Sequence, residues 1–260
     1  MTMSLARPDE DILRENLVGV QICALTLERT VQIILDWHRR GKRESISMCT
    51  AHTLVECLRT PELQQRVNRA GLATPDGMPL VWLLHRRGHA DVGRVYGPDL
   101  MLALCQAGLP LGLRHYFYGA APGVAQALSD RLQERFPGLI VAGTHAPPFG
   151  SAPPETDIDR INEAQADIVW VGLGTPKQDF WISEHRGAIS ATALIGVGAA
   201  FDFHSGRVRQ APAWIRRSGL EWAFRFIQEP RRLWRRYLVD NVIFLWNVIL
   251  QELRMRSYPV

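Results

Sequence analysis

The chain has 260 residues, 47% of them hydrophobic and 22% charged, a globular composition that excludes disorder or low complexity as the main theme. Its four cysteines form no Cys-x-x-Cys pair, so neither a disulfide framework nor a zinc ribbon is expected. The formal net charge of +4 is unevenly distributed, because residues 207–260 alone hold 11 arginines against four acidic residues.

Apolar runs typical of strands alternate with amphipathic segments typical of helices through most of the chain. Strands are predicted over 45–50, 71–74, 114–118, 139–143, 167–174 and 192–198. Helices are predicted over 27–40, around 54–58, and over 78–85, 98–106, 124–136, 158–165 and 177–185, and the pattern from 212 to 256 is helical throughout.

This alternation predicts an α/β fold, a Rossmann-like and mostly parallel sheet covered by helices on both faces. We expect residues 1–206 to form this domain and residues 207–260 to form a basic helical appendage. The acidic start of the chain lacks the apolar core of a signal peptide, and no apolar run approaches the ~18 residues of a spanning helix. A cytoplasmic protein is therefore expected.

Two glycine turns lie between a predicted strand and a predicted helix. Gly172-Leu173-Gly174 begins a dinucleotide fingerprint, but Lys177 stands where the third glycine would be. Gly119 opens the second turn. Tight bends explain either turn alone, whereas together they favour a nucleotide or phosphate ligand at the carboxyl edge of the sheet. A dinucleotide-dependent oxidoreductase stays an alternative that depends on the first turn only.

Asp76 follows a predicted strand in the run Thr74-Pro75-Asp76-Gly77. Such an aspartate either caps the next helix, by accepting its free amide hydrogens, or stands at the mouth of the crevice as a general base. Arg94 either clamps a phosphate or pairs with an acid. Two D-x-D runs, at 9–11 and 157–159, match a magnesium-binding pattern, but acids also favour helix starts. No metal and no cofactor are expected.

The tail combines arginines with four of the eight tryptophans. Arg225, Arg232 and Arg235 are spaced to share one face of a continuous helix. The apolar run 242–250 is too short to cross a bilayer but long enough to lie in its interface. The alternative is a terminal helix packed on the core with solvated arginines. A non-enzymatic membrane or nucleic-acid binding module using this tail is the second functional hypothesis.

Five blocks of the sequence, in this order and spacing, resemble the WecG/TagA/CpsF glycosyltransferases (family 26). The blocks are TPDGMPLVW (74–82), RVYGPDL (94–100), ADIVWVGLGTPKQ (166–178), GVGAAFD (196–202) and LEWAFRFIQEPRRLWRRY (220–237). The resemblance covers roughly residues 18–245, and the first block is similar to the GumM-like exopolysaccharide branch, which suggests glucose as the sugar.

The resemblance implies an inverting, metal-independent enzyme that moves a hexose or N-acetylhexosamine from a UDP-sugar to a polyprenyl-diphosphate-linked saccharide in cell-surface or exopolysaccharide synthesis. Such an enzyme would be peripheral on the inner face of the cytoplasmic membrane, with the anionic membrane surface as a further partner. Nucleic acid is not an expected partner, and a homo-oligomer is left open.

The family's proposed base matches Asp76. The substrate-binding set, predicted from the resemblance and from the glycine turns, is Thr50, His52, Gly77, Arg94, Gly119, Gly172, Gly174, Gln178, Phe201, Asp202, Arg225, Arg232 and Arg235. His52 departs from the family, which has Asn there. Because an imidazole cannot present the donor and acceptor pair of an amide, this position bears on donor or acceptor preference.

Overall fold

The computed structural model describes residues 12–148 and 156–260. Its strands are β1 (Arg14–Leu17), β2 (Val20–Cys23), β3 (Glu44–Cys49), β4 (Leu72–Pro75), β5 (Arg114–Gly119), β6 (Ile140–His145), β7 (Ile168–Gly172) and β8 (Ala193–Gly196). Strands β3 to β8 form a six-stranded sheet in the order β4-β3-β8-β7-β5-β6, and every neighbouring pair is parallel. The carboxyl ends of these strands therefore meet at one edge.

The helices include those that the periodicity predicts and two that it does not, Pro61–Asn68 and Ala200–His204. They are α1 (Leu27–Arg39), α2 (Ala51–Arg59), α3 (Pro61–Asn68), α4 (Met78–Arg86), α5 (Gly97–Gly108), α6 (Val124–Arg135), α7 (Thr156–Glu163), α8 (Lys177–His185), α9 (Ala200–His204), α10 (Ala213–Arg217), α11 (Glu221–Gln228), α12 (Pro230–Trp234) and α13 (Asn241–Glu252). A π-helical segment, Arg235–Asp240, joins α12 to α13. The predicted fold class is confirmed.

Helices cover both faces of the sheet, and side-chain alternation along the central strands shows this directly. Trp170 of β7 packs with α1, α5 and α6 in one buried cluster. Its neighbours Val169 and Val171 pack with α7 and α8 in another. Since successive side chains of a strand point to opposite faces, an uninterrupted apolar run such as β7 is buried on both sides.

Strands β1 and β2 form an antiparallel hairpin that the sequence did not predict. Its two-residue turn places Val18 at φ 51° and Gly19 at φ 88°. Turns with both central residues at positive φ usually carry Asn or Gly first. Because Val18 stands at that position, the sequence does not show the pattern that would predict a hairpin. The strands are also only four residues long, too short for clear alternation.

The last twenty residues pack on the α/β body. Phe244, Val248 and Tyr258 belong to one buried cluster with side chains of α2 and α3. The Gln251 side chain accepts a hydrogen bond from the Val18 amide at 3.0 Å. The division of the chain at residue 206 stays a prediction. Across residues 12–148 and 156–260, none of the helices has both the length and the apolar character needed to span a bilayer.

Candidate active site

The segment after β4 lies against the start of α2. The amides of Asp76 and Gly77 both donate to the carbonyl of Cys49, the last residue of β3, at 2.9 and 3.2 Å. A Cβ on Gly77 would lie 3.4 Å from Cα of Thr50, and Thr50 itself caps α2 through its hydroxyl, which accepts from the Thr53 amide. The parallel pairing of β3 and β4 therefore brings Thr50 and Asp76 together.

Asp76 does not cap α4, so the capping interpretation is wrong. The residue at the cap is Gly77, and no side chain accepts a cap hydrogen bond there. The Asp76 carboxylate instead faces Arg94, whose Nη2 lies 3.4 Å from Oδ1 and whose Nε donates to the Asp76 carbonyl. Burial raises the pKa of Asp76 to about 6, while Arg94 opposes the rise and Glu221 adds to it.

Arg94 is held between two acids from different parts of the chain. Its Nη1 lies 2.7 Å from Oε2 of Glu221, and its guanidinium stacks 3.9 Å from the centre of the Tyr96 ring. The Tyr96 hydroxyl donates to the other Glu221 oxygen at 2.6 Å. Glu221 starts α11 in the tail, so this buried ion pair ties the tail to the site. Glu221 was not among the predicted site residues. The one feature of the sequence that points to it is that it is one of only four acidic residues in a basic segment.

Gln178 lies between the ends of β7 and β8. Its Oε1 accepts from the Gly174 amide at 3.2 Å, and a Cβ on Gly196 would lie 2.9 Å from its Nε2. Gly174 has φ 77°, and no described atom lies within 4 Å of the position its Cβ would take. The space beside the Gly174 Cα atom is therefore open, and Gln178 holds the turn through the hydrogen bond from the Gly174 amide.

The other two turn glycines are required by packing. A Cβ on Gly119 would lie 2.8 Å from the carbonyl carbon of Gly172, and a Cβ on Gly172 would lie 2.8 Å from the Phe201 ring. Phe201 is fully buried against Phe117. Asp202 keeps 20% exposure, 3.9 Å from Arg207. Close packing against β7 for Gly119 and against the Phe201 ring of α9 for Gly172 thus accounts for both glycines without a ligand.

The arginines of the tail take different environments. Arg225 stacks 5.4 Å from the Phe203 ring, Arg232 pairs with Glu229 at 2.8 Å on the surface, and Arg235 is exposed. Arg236, which the sequence analysis did not single out, is the tail arginine whose charge lowers the pKa of Asp76. Burial lowers the pKa of Arg236, and the nearby charges of Arg225 and Arg232 lower it further.

The continuous helix that the spacing of these arginines requires is interrupted between Arg225 and Arg232. Helix α11 ends at Gln228 and α12 begins at Pro230, and Glu229 between them has φ −132° and ψ 56°. A shared face requires one helix of 3.6 residues per turn, so the spacing does not put Arg225 on the face of Arg232 and Arg235.

His52 lies on the first turn of α2 and faces the tail. Its Nδ1 lies 2.7 Å from Oδ2 of Asp240, and the other oxygen of Asp240 accepts from Arg59 at 2.7 Å. Ligand atoms of His52, Glu56 and Asp240 lie within 4.8 Å of one another, a spacing that suits a metal ion. The Arg59 guanidinium bonds to both Glu56 and Asp240. The positive charge of Arg59 therefore already balances these carboxylates in place of a metal ion.

The structure does not support a metal site at the D-x-D run 157–159. Asp157 is buried; it accepts from the Tyr118 hydroxyl at 2.8 Å and lies 3.1 Å from the His145 ring. Asp159, two residues on, is exposed. Residues 9–11 lie outside the described part of the chain. The 157–159 carboxylates therefore do not converge.

A parallel α/β sheet that presents a buried carboxyl group with an arginine beside it and a glycine turn at its carboxyl edge is the framework of an α/β enzyme. Residues 15–258 match the model of the glycosyl transferase WecG/TagA/CpsF family. Because this match spans nearly the whole chain, the protein belongs to that family and is a glycosyltransferase. The resemblance and the enzyme class predicted from the sequence are confirmed, and the oxidoreductase alternative is not supported.

Relatives of known name agree with this assignment. An N-acetylglucosaminyldiphosphoundecaprenol N-acetyl-beta-D-mannosaminyltransferase of Bacillus spizizenii (strain W23) is 32% identical over 184 residues, 70% of each chain. The protein of the same name from Staphylococcus aureus (strain MW2) is 26% identical over 244 residues, covering 93% of this chain and 94% of the relative.

Proposed function

We propose that this protein transfers a hexose or N-acetylhexosamine from a UDP-sugar to a polyprenyl-diphosphate-linked saccharide, with inversion at the anomeric carbon and Asp76 as general base. The observation that carries the proposal is the buried Asp76 carboxyl group, whose pKa is about 6, beside Arg94 at the carboxyl edge of the sheet. The names of the two relatives support N-acetylmannosamine as the sugar and lipid-linked N-acetylglucosamine as the acceptor.

The chemistry requires one base. A pKa of about 6 leaves Asp76 mostly ionised at neutral pH, yet more basic than an ordinary carboxylate. It takes the proton of the acceptor hydroxyl while that oxygen bonds to the anomeric carbon. The bond from this carbon to the UDP oxygen breaks in the same displacement, which inverts the configuration.

The leaving UDP gathers negative charge that the protein must stabilise. Arg94 lies beside Asp76, and the charge of Arg236 acts on the same carboxyl group. Charge-assisted hydrogen bonds from arginine to phosphate are among the strongest available to a protein. The proposal assigns leaving-group stabilisation to these groups.

The tail also carries a surface suited to a membrane. Large apolar side chains are exposed along it, at Trp214, Leu220, Trp222, Ile227, Trp234, Leu238, Val239, Val242, Leu245, Trp246, Ile249, Leu253 and Met255. Exposed arginines lie among them. Apolar side chains that enter the interface beside cations that meet anionic headgroups bind a bilayer surface without crossing it. We place the enzyme peripherally on the inner face of the cytoplasmic membrane.

The direct test offers the full-length protein UDP-N-acetylmannosamine, UDP-N-acetylglucosamine and UDP-glucose, each with a short-chain prenyl-diphosphate N-acetylglucosamine acceptor. We expect UDP release and a disaccharide product with only one of the donors, and an inverted anomeric configuration by NMR. UDP-glucose as the working donor would favour the exopolysaccharide branch. Absence of transfer with every donor contradicts the proposed function.

A further inference from the structure

Arg94 is shared between two carboxylates, and its contacts with them are unequal. Its Nη1 lies 2.7 Å from Oε2 of Glu221, whereas its Nη2 lies 3.4 Å from Oδ1 of Asp76. Its Nε donates to the main-chain carbonyl of Asp76 and not to the carboxylate. The guanidinium therefore meets the Asp76 carboxylate through one long contact, without the bidentate fork that makes arginine–carboxylate pairs strong.

Glu221 is held in this position from its other side. The Tyr96 hydroxyl donates to its Oε1 at 2.6 Å, and Cζ of Arg94 lies 3.9 Å from the centre of the Tyr96 ring. Both oxygens of the Glu221 carboxylate thus have a partner, and the side chain is only 9% exposed. Because buried charges are screened much less than surface charges, Glu221 acts on its neighbours more strongly than a surface acid does.

The basicity of Asp76 depends on how the charge of Arg94 is divided. An arginine that pairs with one carboxylate alone stabilises its ionised form and weakens it as a base. Glu221 takes the shorter contact with Arg94 and adds a negative charge of its own, and both effects favour the protonated form of Asp76. The Asp76 side chain keeps 16% exposure, so part of it stays open to an acceptor hydroxyl.

Among the described residues, the charged side chains that act most on Asp76 are Arg94, Glu221 of α11 and Arg236 of the π-helical segment. Both arginines lower the pKa of Asp76, and neither loses its proton in the range of an enzyme assay. Glu221 raises the pKa of Asp76. Removing Glu221 therefore changes this pKa in the direction opposite to removing either arginine.

We propose that Glu221 is a positioning residue for the transfer reaction: by engaging Arg94, it leaves the Asp76 carboxylate weakly paired and basic enough to accept the proton of the acceptor hydroxyl. The proposal rests on the proposed function and deepens it, because it gives an acid of the tail a part in the reactivity of the base. Glu221 acts through its contact with Arg94 and not by touching the substrate.

The test compares the pH profile of kcat/KM for the full-length enzyme and for Glu221→Gln, from about pH 4.5 to 8.5. Removing a nearby like charge lowers the pKa of Asp76, so we expect the acid limb of the Glu221→Gln profile about one pH unit below that of the wild type. A weaker base also removes a proton less effectively, so the plateau should fall roughly two- to tenfold. A limb that stays in place or moves to higher pH overturns the proposal.

Two matched controls separate this effect from loss of stability and from loss of any nearby acid. Tyr96→Phe loosens the same buried contact by removing the hydroxyl bonded to Glu221, but it leaves every charge in the site. Glu229→Gln removes an acid of the same part of the tail, whose partner is Arg232 on the surface. The acid limb of both variants should coincide with that of the wild type. A shift in either control as large as in Glu221→Gln overturns the role assigned to the Glu221 contact.

Thermal denaturation shows whether each variant is folded at the assay temperature. If Glu221→Gln is not folded, Glu221→Asp takes its place. The shorter side chain withdraws from Arg94 and leaves the guanidinium free to turn toward Asp76, so the acid limb should again move to lower pH. An unmoved limb in Glu221→Asp then overturns the proposal.

The titration of Asp76 is also measurable without sugar transfer. In isotope-labelled protein followed by carbon NMR, the Asp76 carboxyl signal is the one that Asp76→Asn lacks, and it should titrate at lower pH in the Glu221 variant than in the wild type. Absence of transfer by the wild type with every donor contradicts the proposed function. Equal titration of Asp76 in the two proteins instead overturns the role of Glu221, whatever the activity.

Discussion

Asp76 is a charged group placed where burial disfavours its charge. Desolvation raises its pKa to about 6, and Arg94 compensates only in part. Arg94 has a second acidic partner in Glu221, so it does not depend on Asp76 for its countercharge. A carboxylate kept in such a place at a cost in stability is typical of a catalytic group.

This imbalance leads to a prediction for Asp76→Asn. We expect transfer to fall by roughly 10² to 10⁴-fold, the contribution of a general base, while the melting temperature stays equal or rises because the buried charge is gone. Initial rates and thermal denaturation at pH 7.5 measure both. Near wild-type turnover would remove Asp76 from the mechanism. UDP binding by calorimetry serves as the control for an intact site.

The pH dependence of transfer follows from the same pKa. A general base acts only when deprotonated, so kcat/KM should rise with pH up to about 6 and level off above it. A profile of kcat/KM from pH 4.5 to 8.5, with stability checked at each end, tests this. A rate that increased toward acid pH would show that the group acts in its protonated form.

At the scale of the elements, the fold was largely predictable and the site only in part. Continuous apolar runs such as β7 were correctly predicted as strands. A strand covered by helices on both faces of the sheet has no solvent-facing positions, so its sequence carries no polar residues. The β1–β2 hairpin escaped because Val18 occupies a positive-φ turn position. The face expected to be shared by Arg225 and Arg232 is interrupted at Glu229, whose backbone between α11 and α12 is not helical. Glu221 escaped because its partners Arg94 and Tyr96 are more than a hundred residues away.

Glu221 fastens α11 to the body, and its loss should be felt in stability. Glu221→Gln removes the charged partner of Tyr96 and one of the two acidic partners of Arg94 in a buried place, so we expect a loss of about 1–3 kcal/mol in the free energy of unfolding. Glu229→Gln breaks an ion pair on the surface and should cost less than about 1 kcal/mol. Urea denaturation of both variants measures the difference, and equal losses would contradict the buried anchor.

Helix α13 has two apolar sides with different partners. Phe244 and Val248 are buried in the body, whereas Leu245 and Trp246 are 55% and 61% exposed. Leu245→Gln with Trp246→Gln should therefore weaken binding to anionic liposomes by roughly 10²-fold or more, since each buried side chain contributes about 1.5–3 kcal/mol. Folding should be unaffected. Liposome sedimentation measures this, with the exposed Leu111→Gln as control; unchanged binding would place the membrane contact elsewhere.

For the whole molecule, the uneven charge and the packing of the tail decide which experiments are informative. Deleting residues 207–260 removes 11 of the 30 basic residues and with them the net positive charge of the chain, but it also removes Phe244, Val248 and Tyr258 from a buried cluster of the body. Loss of activity in that deletion would reflect unfolding as much as loss of substrate contacts. Substitutions at exposed or active-site positions of the tail are the sharper tests.

The concentration of arginine around one carboxylate also bears on the use of metal ions. A diphosphate that leaves a sugar needs about two positive charges, and two arginine charges already act on Asp76, those of Arg94 and Arg236. We therefore expect the rate of transfer in excess EDTA to stay within about twofold of the rate in Mg²⁺. Loss of activity in EDTA that Mg²⁺ restores would instead assign part of this charge to a metal, with the carboxylates of Glu56 and Asp240 beside His52 as the first place to look for it.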